Sequence, residues 1–339
     1  MSLPGRLTID LEALTDNWRR LARECAPAAC GGVVKADAYG IGVEHAAPAL
    51  YRAGARIFFV AHLSEGARVR EALGAGPKIY ALNGFEATAE VGDYAQADVA
   101  PVIGGPSELA RWDRARPFAL HIDTGMNRLG LSFAELEAAK TCGPALLMSH
   151  FVSSEAPEDP LNARQIAAFA KARALFPTVP ASLANSSGVF LPARPHYDLV
   201  RPGYALYGGN PTPGRENPMR PVVTLEVAVQ QTRWIEPGET CGYNARWTAR
   251  RRTRLATLPA GYADGLPFGY HCLWWDGRAS LSRPGSGRPA PAARLFGDFV
   301  GLAQGCGPAG GEVSLGAPVS DPARSRWCSS FSLSSRRTV

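Results

Sequence analysis

GGVVKADAYGIGVEHAAPALYRAGARIFFVAHLSEGARVREAL, residues 31–73, carries the pattern from which the fold is read. GGVVK (31–35) is a short apolar run of strand type, and HAAPALYRAG after it reads as a helix. RIFFV (56–60) is a second strand, and SEGARVREAL a second helix with Ser64 placed to cap it. The alternation continues through KIYAL (78–82), ADVAPVI (97–103), FALHID (118–123) and ALLMSH (145–150), each followed by a helical segment. PASLAN (180–185) and YDLVRP (197–202) complete the series, separated by SSGVFLPARPH, which reads as a short, poor helix. Unbroken apolar strand cores suit parallel strands buried on both faces. Eight such strands predict a closed (β/α)8 barrel rather than a doubly wound sheet.

The texture changes near residue 220. PVVTLEVAVQQTRWI (221–235) alternates in a β-like way up to the turn PGE, and RTRLATLPAG (252–261) reads as another strand candidate. The expected division is therefore a barrel over residues 1–220 and a mainly β domain over 221–339. That second domain degrades into Arg, Ser, Gly and Pro after about 270, and no stable fold is expected after 317.

Composition narrows the function classes. The 339 residues are 46% hydrophobic and 19% charged, which describes a globular chain. The net charge of +6 is concentrated in an Arg-rich tail, with no basic stripe bearing interleaved aromatics, so nucleic-acid binding is not expected. Seven cysteines without a C-x-x-C pair suggest neither a disulfide framework nor a metal site. No signal peptide or membrane-spanning run is read, and a cytoplasmic location is expected.

A barrel places its chemistry at the C-terminal ends of its strands. Lys35, Asp123, His150, Asn185 with Ser186, and Arg201 stand there. Asn185 and Ser186 also suit a simple capping role; Lys35 and Arg201 do not. Four lysines against 32 arginines make Lys35 distinctive, and its place after Val33 and Val34 would strip solvent and ready its amine for an imine.

VVKADAYGIG, HIDTGMNRLG (121–130), MSHF (148–151), ANSSG (184–188), VRPGYALYG (200–208), CGYNARW (241–247) and GYADG (261–265) follow in order. Together they resemble the fold-type III alanine racemases, which carry pyridoxal 5′-phosphate. The resemblance implies that Lys35 holds the cofactor and acts as one catalytic base. It implies that Tyr39, Ser186, Gly203 and Tyr204 surround the phosphate, that Asn185 packs beside them and that His150 lines the ring. Arg201 would face the pyridine nitrogen, where an arginine cannot supply a proton. Arg128 would hold the substrate carboxylate, and Tyr262 would line the entrance. Racemisation needs a second base on the opposite face, for which the resemblance names Tyr243, reaching in from the partner of a homodimer.

The chain departs from the family pattern at several places. His121 stands where many relatives have a carbamylated lysine that orients the arginine. In ARLFGDFVGL (293–302), Gly297 occupies the position of a methionine whose amide helps bind substrate, while Asp298 is kept. The family's closing segment is not found after 317. The reading is interconversion of L- and D-alanine, which implies supply of D-alanine for peptidoglycan. The alternatives are a homologue that binds pyridoxal phosphate but turns over poorly, and a racemase for another small amino acid such as serine.

Overall fold

The computed structural model describes residues 5–245 and 247–259, with four later strands at 271–275, 278–282, 301–302 and 312–316. Its described residues divide into two compact units, one of residues 11–220 and one that joins the N-terminal segment up to Asp10 to the stretch 221–318.

The strands in chain order begin with β1 (Gly5–Ile9), β2 (Ala29–Cys30), β3 (Gly32–Val33), β4 (Ile57–Val60) and β5 (Lys78–Ala81). Then come β6 (Ala100–Ile103), β7 (Ala119–His121), β8 (Leu146–Met148), β9 (Ala181–Ser182) and β10 (Leu199–Val200). β3 to β9 pair in parallel in sequence order, and β10 pairs in parallel with β2. The ring closes through β10. On one side the Asp198 amide donates to the Ala181 carbonyl (3.0 Å) and the Arg201 amide to Ala184 (2.9 Å). On the other, the amides of Gly31 and Val33 donate to Val200 (2.9 Å) and Pro202 (3.1 Å). β2 and β3 thus act as one barrel strand broken at Gly31, where a Cβ would press on the Phe59 ring and the Ile57 carbonyl.

Val33, Phe59, Tyr80, Val102, Ala119, Leu146, Met148 and Leu199 fill the barrel interior. Phe58, next to Phe59 and facing the other way, is equally buried. Burial on both faces explains why these strands read as apolar runs rather than alternating ones. Each fully buried phenylalanine contributes about 1.5–3 kcal/mol. The helix Leu11–Cys25 buries Ala13, Leu14, Asn17, Trp18, Leu21 and Cys25, a stripe of helical period.

Two local expectations change, and a third resolves into separate strands. Ser64 lies inside the first turn of the helix Leu63–Leu73, whose capping residue is His62. SSGVFLPARPH forms only the 3-10 turn Gly188–Phe190, since Pro192 and Pro195 leave no room for a longer helix. The alternating run 221–235 is two strands, β11 (Val223–Ala228) and β12 (Gln231–Ile235). They sit at separate places in one sheet and are not neighbours.

The remaining strands are β13 (Thr240–Cys241), β14 (Trp247–Thr248), β15 (Thr253–Thr257), β16 (His271–Trp275), β17 (Arg278–Ser282), β18 (Gly301–Leu302) and β19 (Glu312–Gly316). β13 and β14 form a small antiparallel ladder. The others make an eight-stranded sheet in the order β1-β11-β19-β17-β16-β18-β15-β12. The N-terminal strand GRLTI therefore belongs to this sheet, paired antiparallel with β11. Stretches after 270 whose composition reads as degraded supply four of its strands.

Candidate active site

Lys35 follows Val34 at the C-terminal end of the first barrel strand. The next four residues, Ala36, Asp37, Ala38 and Tyr39, have φ of 53°, 55°, 53° and 56°, and Gly40 ends this left-handed turn at φ 90°. A non-glycine residue in that region costs roughly 1–2 kcal/mol, so the turn must be held from outside. Three ties hold it. The Ala36 amide donates to Glu65 Oε1 (2.7 Å). Asp37 Oδ1 accepts from the Val43 amide (3.0 Å) and from Arg68 Nη2 (2.8 Å). The Tyr39 ring stacks on Tyr207 with centroids 4.5 Å apart, and the Tyr207 hydroxyl donates to the Val33 carbonyl (3.0 Å).

The turn carries Tyr39 to the ends of β9 and β10. A Cβ on Gly203 would run into the Tyr39 hydroxyl, so only glycine lets the two approach. The amides of Gly203 and Ala205 donate to the buried Ser186 Oγ at 2.9 and 3.3 Å. Tyr39 Oη and the Ser186 hydroxyl, which these two amides polarise, form a neutral cradle of donors suited to an anion. The backbone of Tyr204 opens the 3-10 turn Tyr204–Tyr207 beside it. The Tyr204 side chain turns to Ser187, whose hydroxyl it meets at 2.5 Å. Asn185 takes the capping role. Its Oδ1 accepts from the Gly188 amide and from Ser154 Oγ, both at 2.8 Å.

Arg201 is 4% exposed and, among the described residues, donates to neutral acceptors: Ser182 Oγ (2.6 Å), the Ser149 carbonyl (2.6 Å) and His150 Nδ1 (3.3 Å). Burial pushes its pKa down to about 9, which leaves it a cation at neutral pH. His150 is held well below the usual imidazole range, by burial first and then by Arg201, Arg128, His121 and Lys35. Burial, followed by Arg201 and Arg128, pushes His121 down to about 4. The strand ends therefore gather three cationic side chains, Lys35, Arg128 and Arg201, around two neutral imidazoles. Such a rim attracts a doubly anionic ligand and places an amine beside it.

Arg128 lies exposed on the loop after β7. Asp123 shapes that loop by accepting the amides of Gly125 (2.9 Å), Met126 (2.9 Å) and Asn127 (2.9 and 3.1 Å). Tyr243 sits in the tip between β13 and β14, in the other unit. Tyr262, Gly297 and Asp298 lie outside the described residues.

Several site residues escaped the sequence reading. Ser182 and Ser149 receive Arg201 and its neighbours. The fully buried Gln165 donates to Thr124 Oγ1 (3.0 Å) and the His150 carbonyl (2.9 Å), and its Oε1 accepts from the Val152 amide (2.9 Å). Its position inside a helical segment carries no local signal. Glu65 does have one: a glutamate recurs five residues after the ends of β4, β5 and β6, as Glu65, Glu86 and Glu108.

Residues 9–211 match the family Alanine racemase, N-terminal domain, and residues 222–281 match Alanine racemase, C-terminal domain. An alanine racemase of Methylobacterium nodulans is 56% identical over 276 residues, covering 78% of this chain and 74% of the relative. One of Rhizobium meliloti is 45% identical over 316 residues, covering 89% and 80%. The crystal structure of alanine racemase from Bartonella henselae with covalently bound pyridoxal phosphate has a TM-score of 0.73 at 34% identity, covering 90% of this chain and 91% of that one. The biosynthetic alanine racemase of Pseudomonas aeruginosa has a TM-score of 0.72 at 32% identity, covering 89% and 86%.

Proposed function

The chain belongs to the alanine racemase family, and from that premise we propose that Lys35 and Tyr243 are the two bases of its reaction. It is a pyridoxal 5′-phosphate-dependent isomerase that interconverts L- and D-alanine. The observation that carries the site reading is the convergence of Lys35, the buried Arg201 and the Ser186–Gly203 cradle on one barrel rim. The cradle that a Cβ at Gly203 would fill and the buried guanidinium, which has no carboxylate partner among the described residues, both fit the cofactor.

Bound pyridoxal phosphate supplies an electron sink for the α-carbon. Lys35 holds it through Nζ. Tyr39, Ser186 and the backbone of Gly203 and Tyr204 grip the phosphate, with Asn185 locking the adjoining turn. His150, neutral and receiving a hydrogen bond from Arg201, lines the ring without adding charge. Arg201 keeps its own protons and so gives none to the ring nitrogen, which keeps the sink weak and disfavours transamination. Arg128 receives the substrate carboxylate by a charge-assisted contact. Lys35 Nζ moves the α-proton on one face and Tyr243 Oη on the other.

The same reading places Tyr262 at the substrate entrance and Gly297 with Asp298 beside the carboxylate. It takes the barrel to residue 220 and a β-rich domain beyond it, and makes the protein a cytoplasmic homodimer that supplies D-alanine for peptidoglycan. Supporting a soluble location, no helix among the described residues is long and apolar enough to cross a membrane.

Borohydride treatment should fix the cofactor to a peptide containing Lys35. Labelling at Lys78, Lys140 or Lys171 instead would refute the assignment. Tyr243→Phe should keep the cofactor but lose ~10²–10⁴-fold in racemisation. Mixed dimers of Lys35→Ala and Tyr243→Phe chains should regain activity. If they form without any recovery, Tyr243 does not cross to the partner's site.

A further inference from the structure

The glutamates after β4, β5 and β6 form a structural repeat that ties each strand-end loop to the one before it. Glu65 Oε2 accepts the amide of Ala61 in its own loop (2.7 Å), while Oε1 accepts that of Ala36 in the preceding loop (2.7 Å). Glu86 reaches back to the Leu63 amide (3.0 Å) and His62 Nδ1 (3.2 Å). Glu108 reaches back to the Phe85 amide (2.9 Å) and also accepts the Gly104 amide of its own loop. A carboxylate suits this work because both oxygens accept, so it can bridge two backbone donors.

The three bridges differ in what they hold. Glu86 and Glu108 grip loops that carry no residue of the site. Glu65 grips Ala36, the residue directly after Lys35 and the first of four in the left-handed region. We propose that Glu65 is a positioning residue for the cofactor: by holding the Ala36 amide it keeps the left-handed turn in shape, and through that turn it sets Lys35 and the Tyr39 hydroxyl relative to the Gly203 cradle. The inference rests on the roles given above to Lys35 and Tyr39. Asp37 and Arg68 clamp the next residue of the turn, but on its outer side toward Val43 and Glu44, so they do not replace the tie at Ala36.

The test compares two isosteric changes. Glu65→Gln keeps the shape but turns an amide NH2 against one of the two backbone N–H groups. Glu108→Gln makes the same change in a repeat-related bridge away from the site. Both variants should lose thermal stability to a similar degree. Release of pyridoxal phosphate from the full-length holoenzyme, followed by ultrafiltration, should separate them. Glu65→Gln should raise the cofactor Kd at least ~10-fold, because a half-buried donor beside Lys35 is left unpaired and the left-handed turn loses that tie. Glu108→Gln should leave it within about twofold. Equal Kd changes in the two variants would overturn the proposal and reduce Glu65 to a general structural brace. If Glu65→Gln does not fold alone, the comparison is made in an Ala36→Gly background, where glycine relieves the cost of positive φ. Borohydride labelling of the wild-type chain distinguishes the two failures. Labelling away from Lys35 overturns the site reading and this proposal with it; labelling at Lys35 with equal Kd changes overturns this proposal alone.

Discussion

The two halves of the barrel rim are built from different chemistry. From β3 to β6 the loops are tied by carboxylates: Glu65, Glu86 and Glu108 each accept backbone donors from neighbouring loops. From β7 to β10 the ties are neutral. Ser149 and Ser182 receive Arg201, while Gln165, Asn185 and Ser186 bind the backbone of His150, Gly188 and Gly203. Asp123, at the end of β7, is turned to the amides of its own loop. A carboxylate is a strong brace, but beside Arg201 it would form an ion pair and cancel the charge of the buried guanidinium. Hydroxyl and amide groups brace the rim while leaving the positive field available to an anionic ligand.

The sharpest way to break this contrast is to put an acid into the neutral half. Arg201→Glu should protonate the ring nitrogen, slow racemisation by ~10²-fold, as expected when a preorganised charge is lost, and let transamination appear. Wild-type spectra and turnover in that variant would show that Arg201 does not reach the nitrogen.

A smaller effect is expected from crowding the cradle. Gly203→Ala sets a methyl group against the Tyr39 hydroxyl, and Tyr39 is pinned by its stack on Tyr207. Overpacking of about 1–3 kcal/mol should appear as a cofactor Kd raised ~10-fold or more, read by ultrafiltration, with the fold kept. Unchanged affinity would remove Tyr39 from the phosphate contacts.

Stability against pH probes the same neutral half of the rim. His121 titrates at about 4 in the folded chain against an ordinary 6.5, so the unfolded chain takes up its proton first as the pH falls. Stability should drop between pH 6.5 and about 4 and level off below, with His121 contributing at most about 3 kcal/mol of the loss. His121→Asn should flatten that part of the profile in denaturant titrations. An unchanged slope would show that His121 is not neutral in the folded rim.

Much of the rim was legible from strand-end positions. Lys35, His150, Ser186 and Arg201 all fall where an apolar run meets a polar residue, and the structure brings them to one mouth. Glu65 was legible only as a repeat, since one glutamate at the start of a helix looks like any other. Gln165 and Ser182 could not be read at all. Their roles come from partners at distant positions: Thr124 and His150 for one, Arg201 and the Leu199 carbonyl for the other. The strand partners of the run 221–235 were hidden for the same reason. Alternation identifies strand character, but which strands lie beside it depends on segments far away, β19 and β15.

By itself, then, the sequence determined the order of strands and helices, the apolar interior of the barrel and the position of Lys35 at the end of its first strand. Each of these rests on local periodicity or on a residue type at a strand end, and neither needs knowledge of a distant partner. Only the tertiary structure decided that GRLTI leaves the barrel for the antiparallel sheet, that four residues after Lys35 turn left-handed, and that Arg201 is buried among neutral groups. Those outcomes depend on hydrogen bonds and packing between residues far apart in the chain, and a left-handed turn that is costly locally persists only where such distant contacts outweigh its cost.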